Sequence, residues 1–175
     1  MRRTPFARVF CLVLVLGVPA CGDSSSTDEG GGPGNPTGTF SGTVTGVVTA
    51  NLSGLATATR VPGTDRWGIA LGVGEPQWIS FLAGFDGFPP PGTYPVLSGV
   101  QSIQATEPTF SASFVAAAGT SSFTSSEGTL TITTSSTTRV AGSFQFTAER
   151  GTIGNPELVQ IQGTFDAINY EGGGG

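Results

Sequence analysis

From Thr39 to Tyr170 the chain alternates between apolar and polar positions with a period of two. Phe40-Ser41-Gly42-Thr43-Val44-Thr45 sets the pattern, with an apolar residue or glycine at every other position and a hydroxyl between. Trp67, Ile69, Leu71 and Val73 repeat it, as do Phe110, Ala112 and Phe114. Leu130 and Ile132 alternate with Thr129, Thr131 and Thr133, and Phe144 and Phe146 with Ser143, Gln145 and Thr147. Val159, Ile161, Gly163 and Phe165 close the series against Gln160, Gln162 and Thr164. Strict alternation predicts strands with one face in a core and one in water. Thr, Val and Phe favour extended backbone.

Turn residues separate these runs at short intervals, as in Pro62-Gly63-Thr64-Asp65, Pro89-Pro90-Pro91-Gly92 and Gly151 to Pro156. The spacing predicts about nine strands, near 39–48, 53–60, 67–73, 78–82, 93–97, 109–116, 127–134, 139–149 and 158–168. It leaves no room for a crossover helix, which argues against parallel pairing. The expected fold is all-β: a single antiparallel β-sandwich or flattened barrel, ending in a three-strand meander. Phe40, Phe110, Phe114, Phe123, Phe144, Phe146 and Phe165 fall on the inward parity.

The first twenty residues break the pattern. Arg2, Arg3 and Arg8 precede the apolar run Val9 to Val18, the layout of a secretory signal peptide. The run is shorter than the roughly 20 residues that span a bilayer. It ends in Val18-Pro19-Ala20-Cys21, which resembles the lipobox of bacterial lipoproteins. Ordinary signal-peptidase cleavage after Ala20 also fits. The resemblance implies lipid on Cys21, as the mature N-terminus, and a membrane-lipid partner. Each buried methylene contributes about 0.8 kcal/mol, so several acyl chains anchor a protein durably. Cys11 leaves with the signal, so no disulfide is expected. Residues 22–38 carry no apolar side chain and predict a disordered tether spanning about 20–25 Å. Residues 39–170 form the β domain, and residues 171–175 read as a flexible tail.

Composition narrows the chemistry. The chain contains no His and no Lys; its seven basic residues are all Arg, against twelve acids. This excludes His-based triads, imidazole metal ligands, a P-loop lysine and Schiff-base chemistry. An acidic chain without a basic face is not expected to bind nucleic acid. Asp65, Glu75, Asp86, Glu107, Glu127, Glu149, Glu157 and Asp166 fall in turns or on polar strand parity. They show neither a glycosidase pair nor an Asp-rich calcium loop. No cofactor or metal site is expected, and no enzyme.

Gly92-Thr93-Tyr94, Gly128 to Ile132, Gly142 to Phe146 and Gly163 to Phe165 together resemble a family of uncharacterised bacterial lipoprotein domains, over residues 92–168. The resemblance implies the meander and a lipoprotein context, and brings no activity. One segment stands apart: Trp78 to Tyr94 gathers Trp78, Phe81, Phe85, Phe88 and Tyr94 around two glycines and three prolines. Phe85 to Phe88 reads as a turn. Phe85, Phe88 and Tyr94 are the candidate binding surface; the competing reading is that these rings plug an open end of the fold. Trp78, at the start of a strand, is expected to be buried, and Phe88 to lie at the surface. The expected role is that of a membrane-anchored envelope lipoprotein that binds or scaffolds, with an envelope protein or glycan as partner. The outer membrane is the favoured destination, because Gly22 is not the Asp-type retention residue. The alternatives are a calycin-like barrel carrying a small apolar ligand and, third, a hydrolase.

Overall fold

The computed structural model describes residues 37–74, 77–116, 121–152 and 154–170. The predicted signal peptide, Cys21, the tether before Thr37 and the tail at 171–175 lie outside the described residues. Nine strands and one short helix are formed among those described. They are β1 (Thr39–Gly46), β2 (Ala50–Arg60), β3 (Arg66–Gly74), β4 (Gln77–Asp86), β5 (Gly92–Leu97), α1 (Gly99–Gln104), β6 (Phe110–Val115), β7 (Ser122–Ser135), β8 (Arg139–Thr152) and β9 (Asn155–Asn169). The strands close into one ring in the order β1-β2-β3-β4-β6-β5-β7-β8-β9, with β1 paired to β9. The fold is therefore all-β, a closed barrel, and β7, β8 and β9 form the terminal meander. Each strand is paired on both sides over at least part of its length, although Gly92 to Pro95 of β5 ladder with β7 alone.

Alternation decides what fills the ring. The seven phenylalanines of inward parity are all buried. Phe81 on β4 meets Phe144 and Phe146 on β8, with ring centroids 5.4 and 5.5 Å apart. These strands stand on opposite walls, so the rings span the interior. One inward row crosses six strands: Leu52, Gly42, Gly163, Phe144, Leu130 and Tyr94. Its two glycines pair directly and form a floor for the Phe144 ring. A Cβ on Gly163 would lie 2.3 Å from the Ser41 carbonyl oxygen and 2.7 Å from the Phe144 ring. The glycines of the strand motifs thus make room for the phenylalanines beside them.

Three features depart from the sequence reading. The segment after β5 forms α1, which has fewer than two turns and so shows little periodicity. Its start is a capping box: the Gln101 amide N–H donates to Ser98 Oγ at 3.4 Å, while the Gln101 side chain accepts from the Ser98 amide. This short connection brings β5 and β6 into parallel pairing over Val96↔Phe110 and Leu97↔Ser111. β2 and β9 also pair in parallel, at Thr57↔Ile168 and Ala58↔Asn169. Two residue pairs need no full crossover unit, so the antiparallel rule holds only for the long ladders. Finally, β4 continues through Asp86, which places Phe85 in a strand; the turn comes at Gly87, with φ 94°.

β6 borders β5 along one part of its length and β7 along the other. The buried Ser125 sits where β7 changes partner. Its hydroxyl donates to the Leu97 carbonyl at 2.5 Å and accepts from the Ala112 amide at 2.9 Å. It supplies the hydrogen bonds that the ladder cannot make at the fork.

Candidate functional site

The rim where β1 begins carries the sequence-predicted aromatic residues. Tyr94 is buried, 7% exposed, and its hydroxyl donates to the Pro90 carbonyl at 2.6 Å. Burial raises its phenol above the ordinary tyrosine range. Phe85 is half-buried, stacks on Tyr94 at 5.8 Å and meets Phe110 edge-on at 5.6 Å. Phe88 is also half-buried and packs edge-on against the buried Trp67, with centroids 4.7 Å apart. The Ser135 hydroxyl donates to the Pro89 carbonyl at 2.6 Å and ties the proline loop to the barrel. The structure thus splits the three candidates. Tyr94 belongs to the core, and Phe85 and Phe88 both pack half-buried against it, so Phe88 is not the surface residue expected; only Phe88, with the core residue Trp67, also lines a depression of about 470 Å³ beside Arg60, Ser135, Ser136, Thr137 and Asn169.

Trp78 departs from its expected place: it is 49% exposed. β4 puts Ile79, Phe81 and Ala83 inward, so Trp78 takes the opposite parity. On the outer wall it lies between Gly72 and Val115 on the neighbouring strands. Leu55 and Leu82 are exposed on the same wall.

The opposite outer wall has a different chemistry. Strand pairing aligns its outward residues in rows. Ser41, Thr164, Ser143, Thr131 and Thr93 form the first row. Thr43, Gln162, Gln145 and Thr129 form the second, and Thr45, Gln160, Thr147 and Glu127 the third. Every side chain in these rows is exposed or half-buried, and Glu127 alone is charged. Neighbours sit about 4.8 Å apart across strands and about 6.7 Å apart along them. Hydroxyls already pair within the first row, Thr93 with Thr131 at 3.1 Å and Ser41 with Thr164 at 3.5 Å. Two shallow depressions, of about 390 and 600 Å³, lie on this wall. They share Thr43, Thr129, Gln145 and Gln162, which is the whole second row.

Charge gathers at the two rims. Arg60–Asp65 at 3.3 Å, Arg66–Asp86 at 3.9 Å and Arg139–Asp166 at 2.5 Å pair at the rim where β1 begins. Arg150–Glu157 pairs at 2.5 Å at the other, where Arg150 also bonds Ser121 and lies over the Phe123 ring. Among the described residues no group of three or more acids or cysteines is placed to hold a metal ion. No helix among them is long and apolar enough to cross a membrane.

Sequence reasoning found the polar parity of each strand and read it as a solvated face. It missed the wall, because the rows exist only once non-consecutive strands are neighbours. The local signal was the repetition itself, Thr129-x-Thr131-x-Thr133 beside Gln160-x-Gln162-x-Thr164.

No protein-family model, curated protein or solved structure matches this chain.

Proposed function

We propose that this protein is an exported lipoprotein, held to the cell envelope by lipid on Cys21, that binds an envelope partner without catalysis through the outer wall of its barrel. The anchor rests on the signal-like segment and the lipobox-like Val18-Pro19-Ala20-Cys21. The binding role rests on one observation: rings from opposite walls meet in the interior, at Phe81, Phe144 and Phe146. A spanned interior favours recognition on the outside over carriage of an apolar ligand within. The wall of β1, β9, β8 and β7, whose three rows hold one charged residue, repeats the same hydroxyl and amide chemistry across four strands, and the partner is an envelope glycan or protein.

Two measurements test this reading. Cys21→Ser in the full chain should abolish palmitate labelling and release the protein from the membrane fraction. Continued labelling of that variant refutes the anchor. A photo-crosslinking residue at Gln145, on the wall, should form envelope adducts in cells, whereas one at Leu82, exposed on β4 across the ring, should not. Equal adducts from both positions refute the wall.

A further inference from the structure

We infer that the ligand of the β1-β9-β8-β7 wall is an uncharged polysaccharide, laid across its rows of hydroxyl and amide groups. This rests on the proposed outer-wall binding role and names its substrate class. The argument begins with charge. Soluble domains average about a quarter charged residues, and this chain carries 11%. Here the three rows hold one, Glu127, and the ion pairs stand at the rims. A wall without cations offers phosphate and carboxylate neutral donors but no charge neutralisation, so nucleic acids and anionic glycans are poor partners.

A protein partner fits no better. Protein interfaces centre on buried aromatic, Met or Arg anchors, and the rows contain none. Along the first two rows β1, β9, β8 and β7 are each paired on both sides, so the wall presents no edge there for an added strand. What the rows do present is a repeated set of donors and acceptors. Ser and Thr hydroxyls each donate once and accept twice, and Gln amides do both. Threonine is branched at Cβ, so it loses little rotamer freedom when a ligand immobilises it. A regular array of neutral, two-way hydrogen-bonding groups matches a polymer that repeats neutral hydroxyls or acetamides along its length. The two depressions that meet at Thr43, Thr129, Gln145 and Gln162 make a continuous bed for such a chain.

The test is affinity electrophoresis of the full chain in detergent. The gels contain dextran, a soluble β-glucan, chitin oligosaccharides coupled to a neutral support, or alginate as the anionic comparison. At least one neutral polymer should retard the protein, and alginate should not. The triple variant Thr43→Val, Thr129→Val, Thr131→Val keeps shape and strand preference while removing three hydroxyls. It should weaken binding at least tenfold, and so should Gln145→Glu with Gln162→Glu. Ser80→Ala with Ser113→Ala, on β4 and β6 across the ring, should stay within twofold. An unchanged urea midpoint shows that the triple variant is folded; if it is not, the Gln→Glu pair decides.

Equal retardation by alginate, no retardation by any neutral polymer, or undiminished binding by both wall variants overturns the inference. So does concentration-dependent self-association that the wall variants abolish, which would assign the wall to a second copy. If crosslinking from Gln145 succeeds in cells while every neutral polymer fails, the outer-wall role stands and the polysaccharide falls.

Discussion

Phe144→Ala removes a ring whose surroundings cannot close the gap. Phe144 is 3% exposed, and beneath it lie Gly42 and Gly163, which have no side chains to move into the void. Above it stand Phe81 at 5.4 Å, Phe146 at 6.3 Å and Phe165 at 6.4 Å, each already packed elsewhere. Phe→Ala in a core costs about 3–5 kcal/mol, more where the site cannot relax, which puts this position in the upper half of that range. Such a loss is a large share of the about 5–15 kcal/mol that holds a domain together. With a urea slope of about 2 kcal/mol/M, a loss of about 4 kcal/mol lowers the midpoint by about 2 M. Equilibrium urea unfolding followed by tryptophan fluorescence measures this. Gln145→Ala, one residue along and exposed, should stay within about 0.5 kcal/mol of the parent. Phe144→Leu should recover more than half of the loss, because it refills most of the volume. A cost for Phe144→Ala below about 1.5 kcal/mol would refute the rigid glycine floor. A larger cost for Gln145→Ala would refute the register of β8.

The two tryptophans should separate in the same assay. Trp67→Ala, at a buried ring, should cost about 3–5 kcal/mol, and Trp78→Ala, at a half-exposed one, less than about 1.5 kcal/mol. A reversed order would refute the outward parity of Trp78. Ser125→Ala leaves the Ala112 amide without its hydrogen bond at the fork and should cost about 1–3 kcal/mol; hydrogen exchange at Ala112 should accelerate in parallel. Tyr94 predicts a pH effect. Its neutral form is favoured by the fold, so its contribution to stability is complete below about pH 10, where an unfolded tyrosine begins to ionise. It falls as pH rises from there through the raised folded value. In a Tyr170→Phe background, absorbance of tyrosinate should appear later than in the urea-unfolded chain; coincident titrations would refute the burial of the phenol.

Much of this protein is decided by local chemistry. Phe144, Gln145 and Phe146 point in alternate directions because a strand has a period of two, and no distant contact is needed to know it. The number of strands, the burial of seven of the core phenylalanines and the β7-β8-β9 meander follow from the same period and from the turns between the runs; Phe81, read as part of the aromatic segment, is an eighth. The six-residue α1 lay beyond that reasoning except through its capping box, since fewer than two turns display no helical face.

Neighbour relations across the ring are of another kind. Parity shows that Trp78 and Ile79 face opposite ways, yet a tryptophan at a strand start gives no sign of which way is inward; the pairing of Ile79 and Phe81 with the core decided it. Closure, the insertion of β5 between β6 and β7, and the meeting of β2 with β9 depend on strands far apart in the chain. The wall of hydroxyls and amides is the clearest case. Ser41 and Thr164 are 123 residues apart and become neighbours only because β1 closes the ring against β9. Each strand carries its own polar face, but only the tertiary structure aligns those faces into one surface, because register across a sheet is set by long-range packing of the opposite, buried face.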